Sequence, residues 1–317
     1  MKHIFVVNPI AGAKNSTEEI REKLSEYTDY DITVYETENA KAATEYIREY
    51  CKTHTDEPVR FYACGGDGTI NEVADGICGF SHASMSCYPC GSGNDYVRYY
   101  GGKERFLDFK ALMDAPDEEV DLMRIGDRVS VNVVNFGFDT VVARTMNRVR
   151  RKRIIGGKNS YPTGIIYALI KGMKTKCTVT ADGEVLNPSG VILLCTVAHG
   201  QYVGSGFRCA PRSDNKDGMI EVCLVKPVSR LRFLSLISAY RKGTHLDDPR
   251  FEKFVTYKQV KSLHIEAEEG FGLTIDGELA DGSSFDVEVL PRAVRFAVPG
   301  LNERKNESAS EAVCEKV

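Results

Sequence analysis

A change of rhythm near residue 120 constrains this chain more than any other feature. Before it, runs that read as buried strands alternate with helical patterns: "HIFVVNP" (3–9), "STEEIREKLSEY", "DITVYET" (31–37), "KAATEYIREYC", "VRFYAC" (59–64), "INEVADGI" and "SMSCYPC" (84–90). Strand and helix in alternation predict a parallel sheet covered by helices. Ser16 and Glu19 have capping-box spacing, which starts a helix there. After residue 120, "VSVNVVNFGF", "CTVTADGEV", "GVILLCTVAHG", "MIEVCLVKPV", "SLHIEAE", "FGLTIDGEL" and "SFDVEVL" are β-rich and separated by Gly, Asp and Pro turns. That pattern describes an antiparallel sandwich or barrel, with helical insertions expected at 139–153, 164–175 and 229–242.

The expected architecture is an α/β N-terminal domain with a parallel sheet over 1–123 and a β-rich, sandwich-like C-terminal domain over 124–290. A final strand at 291–300 is expected to return to the first domain, and 301–317 to form a flexible polar tail. With 317 residues the chain can bury two cores. No apolar run approaches the ~20 residues needed to span a bilayer, and "MKHIFVVNPIAG" turns polar too soon for a signal peptide. Ten cysteines scattered singly suggest a reducing compartment. Cys87 and Cys90 of "CYPC" lack a second pair, so they read as small strand residues rather than a metal or redox site. The net charge of −4 argues against a dedicated nucleic-acid binder.

"CGGDGT" (64–69) matches neither the Rossmann nor the Walker glycine pattern, yet it stands between a strand and a helix. Gly65, Gly66 and Gly68 let backbone N–H groups approach phosphate oxygens, and the helix N-terminus behind them adds donors. A carboxylate there is repelled by a triphosphate unless a cation intervenes, so Asp67 reads either as a metal-side residue or as the cap of a tight turn. Three more segments end parallel strands, where α/β sheets bind ligands. They are "NPIAG" (8–12), Thr37, and "GSGND" (91–95) with Ser92, Asn94 and Asp95. Two glycine–aspartate turns on one sheet edge suggest a single Mg-nucleotide site.

"NPIAG", "GGDGTINEV" and "GSGND", in this order and spacing, resemble the diacylglycerol kinase catalytic-domain family, in particular its bacterial soluble lipid kinases. The resemblance continues through "NFGFD" (135–139), "VAHGQYVGSGFRCAPRSDNKDG" (197–218), "SRLRFLSLISAYRKGTH" (229–245) and "TIDGE" (274–278), covering roughly residues 1–299. It implies ATP contacts from Asn8, Pro9, Ile10, Ala11 and Gly12, from Thr37, from Gly65, Gly66, Asp67, Gly68, Thr69, Ile70, Asn71 and Glu72, and from Ser92 and Asn94. Ser92 stands where the family usually has threonine, and it keeps the hydroxyl. The resemblance also implies a Mg²⁺ site at Asp214, Asp217 and the carbonyl of Met219, joined through water to Asp67 and Asp95. Local sequence alone leaves "KDGM" equally readable as a turn. The implied catalytic groups are Asp276 and Glu278, with Asp67. "ADGEV" carries the same tripeptide at Asp182, Gly183 and Glu184, where it reads as structural, and local sequence does not separate the two copies.

The implied function is Mg-ATP-dependent phosphorylation of a lipid hydroxyl, with diacylglycerol as the leading acceptor. The alternatives are a kinase of a soluble acceptor such as NAD, and a nucleotide-binding regulatory protein without turnover. "GSGND" weighs against the first, because NAD kinases carry an Asn-Glu pair in that motif. Asp67, Asp95, Asp217, Asp276 and Glu278 weigh against the second, because a non-catalytic module has no need of a base. "ARTMNRVRRKRIIGGK" (143–158) holds seven Arg/Lys and no acid. It suits an anionic leaflet at about 1 kcal/mol per basic residue, and a solvated helix face fits it equally well. The expected setting is the cytoplasm, with peripheral contact to the inner face of the membrane and a possible homodimer. His199 is expected to line a cleft, and Tyr96, Tyr99 and Tyr100 to pack in a core.

Overall fold

The structure, a computed structural model, describes residues 1–11, 16–150 and 160–301. Two compact units emerge: Met1–Val120 together with the chain from Arg292, and Asp121–Pro291. The first unit runs β1 (Lys2–Val7), α1 (Ser16–Leu24), β2 (Asp31–Glu36), α2 (Ala42–Thr53), β3 (Val59–Gly65), α3 (Asp67–Ile77), β4 (Ala83–Pro89), α4 (Tyr96–Tyr99), α5 (Phe109–Met113) and the start of β5 (Asp117–Ile125). β1 pairs in parallel with β2 and β3, and β3 with β4. This is the parallel α/β sheet that the alternation predicts. The last strand of the chain reaches it too, Phe296 pairing with Met85 in parallel.

Every residue of β3 is buried. A parallel strand flanked by helices meets apolar neighbours on both faces, which is why "VRFYAC" shows no polar alternation. Its one charge, Arg60, is satisfied by the carbonyls of Leu112 and Met113 and by Asp117 at 3.0 Å. Tyr96 and Tyr100 are fully buried against Phe296. They pack in the core, as their spacing predicts.

The second unit contains β6 (Arg128–Ser130), β7 (Val133–Gly137), α6 (Phe138–Arg150), α7 (Ser160–Lys171), β8 (Thr175–Ala181), β9 (Glu184–Val185), β10 (Val191–Ile192) and β11 (Leu194–Ala198). It continues with β12 (Ile220–Val225), α8 (Arg230–Lys242), β13 (Val255–Val260), β14 (Ser262–Ala267), β15 (Gly272–Ile275), β16 (Glu278–Asp281) and the first part of β17 (Ser284–Ala297). One antiparallel sheet has the order β13-β12-β11-β7-β15-β16. A second layer is built on β10-β8-β14-β17.

Side chains alternate between two cores, as the period of two in a strand requires. Val134 and Phe136 of β7, Val222 and Leu224 of β12 and Leu273 of β15 meet Val179, Leu263 and Val287 of the other layer. Their neighbours Val133, Leu194, Cys223 and Val225 face α6 and α8 instead, through Phe138, Val142, Phe233 and Leu236. The six-stranded sheet is therefore covered on both faces. Helices α6, α7 and α8 are the three insertions expected from sequence. The nine described cysteines are free, and most are small buried core residues. Burial in apolar surroundings pushes the Cys64 and Cys87 thiols well up, which makes them poor nucleophiles.

Candidate active site

At the C-terminal edge of the parallel sheet, the loops after β1, β2, β3 and β4 are tied together. The Asn8 N–H donates to the carbonyl of Cys64 at 3.0 Å, and its side-chain amide to the Thr69 hydroxyl at 3.3 Å. Thr37 N–H donates to the carbonyl of Val7 at 2.9 Å. The carbonyl of Gly65 accepts from both Cys90 and Gly91 N–H, at 3.0 Å each. Backbones come close enough here to exclude side chains. A Cβ on Gly91 would lie 2.4 Å from the Gly66 Cα, and one on Gly65 would collide with Thr69. A Cβ on Gly68, by contrast, would meet nothing within 4 Å, so open space remains beside the first turn of α3. A helix N-terminus with bare glycines and room in front of it fits a phosphate group.

Asp67 lies in that first turn, where its Oδ1 accepts the Tyr96 N–H at 3.0 Å and holds the start of α4. Its other oxygen faces Gly93. A Cβ there would stand 2.9 Å from Asp67 Oδ2 and 3.7 Å from Asp95 Oδ2, so the two carboxylates converge on one glycine. Arg98 pairs with Asp95 at 3.2 Å. Asn94, at φ 50°, donates to the Gly91 carbonyl at 2.8 Å, while its buried Oδ1 has no partner among the described residues. Ser92, Pro9 and Ile10 are exposed, and Ala11, Asn71 and Glu72 are half-buried. Ile70 points into the core, with its N–H bonded inside α3 to the Gly66 carbonyl. Gly12 lies outside the described residues.

In the second unit, Asp214, Asp217 and Met219 share the loop before β12. Asp214 accepts Lys216 N–H at 3.1 Å, and Asp217 accepts Met219 N–H at 2.9 Å and the Gln259 amide at 3.1 Å. Asp121 joins them by accepting the Gly218 N–H at 2.7 Å. Burial, followed by the nearby charges of Asp214 and Asp121, holds the Asp217 carboxyl above the usual range. Glu221 is fully buried beside them and is pushed up to about 7, first by burial and then by Asp217 and Asp214. Crowded carboxylates with raised affinity for protons suit a hard cation. No group of three or more His, Cys, Asp and Glu side chains among the described residues could hold a metal by itself. A cation here would need the Met219 carbonyl and water as well.

The two Asp-Gly-Glu turns have the same geometry. Asp276 Oδ1 accepts from the Ser130 hydroxyl at 2.7 Å and from the N–H groups of Val133 and Asn132 at 2.8 and 3.1 Å. Its Oδ2 accepts the Val131 N–H at 2.8 Å. Asp182 likewise accepts the N–H groups of Lys261 and Ser262. Glu278 is exposed and pairs with Arg128 at 2.9 Å. The expectation that His199 lines a cleft is corrected: the residue is fully buried, and burial lowers its pKa to about 4. Packing inside the second unit, behind the acidic loop, makes it a neutral core histidine.

Between the outer face of the six-stranded sheet and its helices lies a cavity of about 340 Å³. Most of its wall is apolar, supplied by residues such as Val142, Met146, Ile165, Phe233, Leu236 and Ile237. Asn135, Asp139, Asn147, Ser205 and Thr274 are polar exceptions, and Gly277 lines the wall as well. Register brings Asn135 and Thr274 side by side, and Gly277 follows in the turn of Asp276. Burial alone pushes Asp139 up to about 6. Sequence patterning does not mark Asp139 and Asp121 as site residues. Their only signal is a charge within or just after an apolar run, in "VDLMRI" and "NFGFD".

Residues 2–125 match the family described as diacylglycerol kinase catalytic domain, and 132–298 match the YegS C-terminal NAD kinase beta sandwich-like domain. The chain belongs to the YegS-like lipid kinase family. Relatives named "Probable lipid kinase YegS-like" include one from Chromohalobacter salexigens, 26% identical over 76% of this chain and 76% of its own length. Another, from Pseudomonas aeruginosa (strain PAO1), is 27% identical over 75% of this chain and 76% of its own. A solved diacylglycerol kinase structure from Bacillus anthracis str. Sterne aligns with a TM-score of 0.67 at 19% identity, covering 94% of this chain and 96% of that one, and shows the shared fold. YegS-like lipid kinases are phosphotransferases, and membership implies ATP and a divalent metal. No helix among the described residues is long and apolar enough to cross a membrane.

Proposed function

We propose that this YegS-like kinase transfers the γ-phosphoryl group of ATP to the hydroxyl of a membrane lipid, with diacylglycerol as the acceptor and Mg²⁺ as the metal. The observation that carries this reading is the cavity of the second unit. Its wall is apolar enough for an acyl chain, and it contains both the carboxylate of Asp139 and Gly277 from the turn of Asp276. Soluble acceptors such as a dinucleotide need many polar partners, which this wall does not offer.

On this reading the loops at Asn8, Gly65–Gly68 and Gly91–Asn94 hold the nucleotide phosphates through backbone N–H groups. Asp67 and Asp95 stand on the cation side, and Asp214, Asp217 and the Met219 carbonyl hold a second or structural cation. Mg²⁺ supplies neutralisation of phosphate charge, the main requirement of phosphoryl transfer. Asp139 is placed to accept a hydrogen bond from the acceptor hydroxyl. A carboxyl near pKa 6 is also suited to taking its proton at neutral pH. Asp276, whose oxygens are engaged by four donors, holds the turn that carries Glu278.

The test is ADP release by the purified protein with Mg-ATP and, in turn, diacylglycerol in mixed micelles, a sphingoid base and NAD. Turnover on diacylglycerol that is lost in Asp67→Asn and reduced in Asp139→Asn supports the reading. Turnover on NAD alone overturns it.

A further inference from the structure

Exposed apolar side chains are concentrated on two neighbouring helices. On α7, Ile166, Tyr167 and Ile170 are 60%, 43% and 58% exposed, and on α8, Leu231 and Leu234 are 81% and 55% exposed. These are five of the nine large exposed apolar side chains among the described residues, so the patch is not the ordinary scatter of a surface. The helices meet at their ends. Arg230, which opens α8, donates through Nε to the Leu169 carbonyl at 2.6 Å and through Nη2 to the Ile170 carbonyl at 3.0 Å.

The charge around the patch has one sign. Neither α7 nor α8 contains an acidic residue, and the sequence holds none from 140 to 181 or from 226 to 246, although the whole chain is net negative. Lys171 ends α7 and Lys174 follows it, and Arg230, Arg232, Arg241 and Lys242 lie along α8, all six exposed. The opposite faces of these two helices supply Ile165, Phe233, Leu236 and Ile237 to the apolar cavity. A helix that is apolar both inward and outward, with a basic rim, is built to lie at an apolar–anionic boundary.

We propose that the outer faces of α7 and α8 form the membrane-docking surface, with Ile166, Ile170, Leu231 and Leu234 entering the acyl boundary of an anionic bilayer and the rim of Lys and Arg contacting its headgroups. The inference rests on the lipid-acceptor reading for its purpose, since the helices that dock would also wall the acceptor cavity. It is distinct from docking through the basic segment 143–158, of which 151–158 lie outside the described residues. A second copy of this chain is the competing occupant. It is disfavoured because two such faces would bring like charges together.

The chain has no tryptophan, so one introduced on the patch reports on it alone. In full-length Leu234→Trp, emission should shift to the blue with phosphatidylglycerol-containing vesicles and be quenched by brominated acyl chains. The shift should weaken with salt and be small with neutral phosphatidylcholine. Unshifted emission from protein that sediments with the vesicles would mean another face docks, and would overturn the proposal. In parallel, Ile170→Ser/Leu231→Ser should lose vesicle affinity on the order of 10- to 100-fold, with thermal unfolding and ATP affinity unchanged. Unchanged vesicle affinity in this variant, or a wild-type dimer that it converts to monomer with vesicle binding intact, would refute the assignment. Docking is read without ATP or acceptor, so it can fail while lipid turnover persists, and the reverse.

Discussion

Asp182 and Asp276 hold the same turn position at φ 45° and 46°, and each turns its carboxylate onto the backbone N–H groups of a neighbouring segment. The left-handed conformation favours Asp followed by Gly, and a carboxylate satisfies several donors at once. The copies differ in burial, since Asp276 is buried and Asp182 exposed. Asp276→Ala should therefore destabilise by about 3 kcal/mol or more, because four donors lose their acceptor, while Asp182→Ala should cost about half as much. Urea unfolding of both variants checks this, and equal losses would remove the distinction.

Glu278 separates stability from chemistry. Its exposed pair with Arg128 contributes about 1 kcal/mol at most, so Glu278→Gln should unfold like the wild type. If Glu278 takes the acceptor proton, kcat should fall on the order of 10²- to 10⁴-fold. Wild-type turnover in this variant would leave Asp139 as the proton acceptor.

Two glycines of the nucleotide loops should respond in opposite ways. Gly91→Ala forces a Cβ against backbone at Gly66 and should destabilise by roughly 1–3 kcal/mol. Gly68→Ala enters open space in a helix and should be neutral or stabilising by up to about 1 kcal/mol. It should still weaken ATP binding, because that space is where a phosphate would lie. Calorimetric unfolding with and without ATP reads both effects.

For Asp139, the rate should fall as pH drops below about 6, where the carboxyl becomes neutral. Asp139→Asn should be slow at all pH values and lack that acid limb. An acid limb that persists in the variant at the same pH would assign it to another group.

His199 sets a stability window. Burial lowers it to about 4 in the folded state, against about 6.5 unfolded, so between these values the unfolded chain binds more protons. Its contribution is fully present above pH 6.5 and is lost as pH falls through 4, a difference on the order of 3 kcal/mol. Glu221 and Asp139, raised when folded, act in the opposite direction. His199→Asn should thus flatten the acid side of the stability curve measured by urea unfolding from pH 4 to 7. An unchanged slope would mean that the ring is not neutral in the fold.

Mg²⁺ or Ca²⁺ should stabilise the second unit by roughly 2.7 kcal/mol at a hundred times its Kd. The shift should vanish in Asp217→Asn, where one of the crowded carboxylates is gone. A shift that survives the substitution would place the cation elsewhere.

Strand–helix alternation and glycine spacing determined much of this protein from sequence alone, because both are local. Period and turn chemistry depend on neighbours a few residues apart, so the parallel sheet, the β-rich unit, its three helical insertions and the loop glycines were all legible. The identity of the two Asp-Gly-Glu tripeptides was not, since what distinguishes them is which distant N–H groups each carboxylate meets. Tertiary packing alone decided that His199 is buried, that Asp67 and Asp95 converge on Gly93, and that Asp121 joins the acidic loop. It also placed Asp139 as the one carboxylate among the described residues that line a mostly apolar cavity. Burial and proximity are sums over segments remote in sequence, and a carboxylate acquires its chemistry from that sum rather than from its neighbours along the chain.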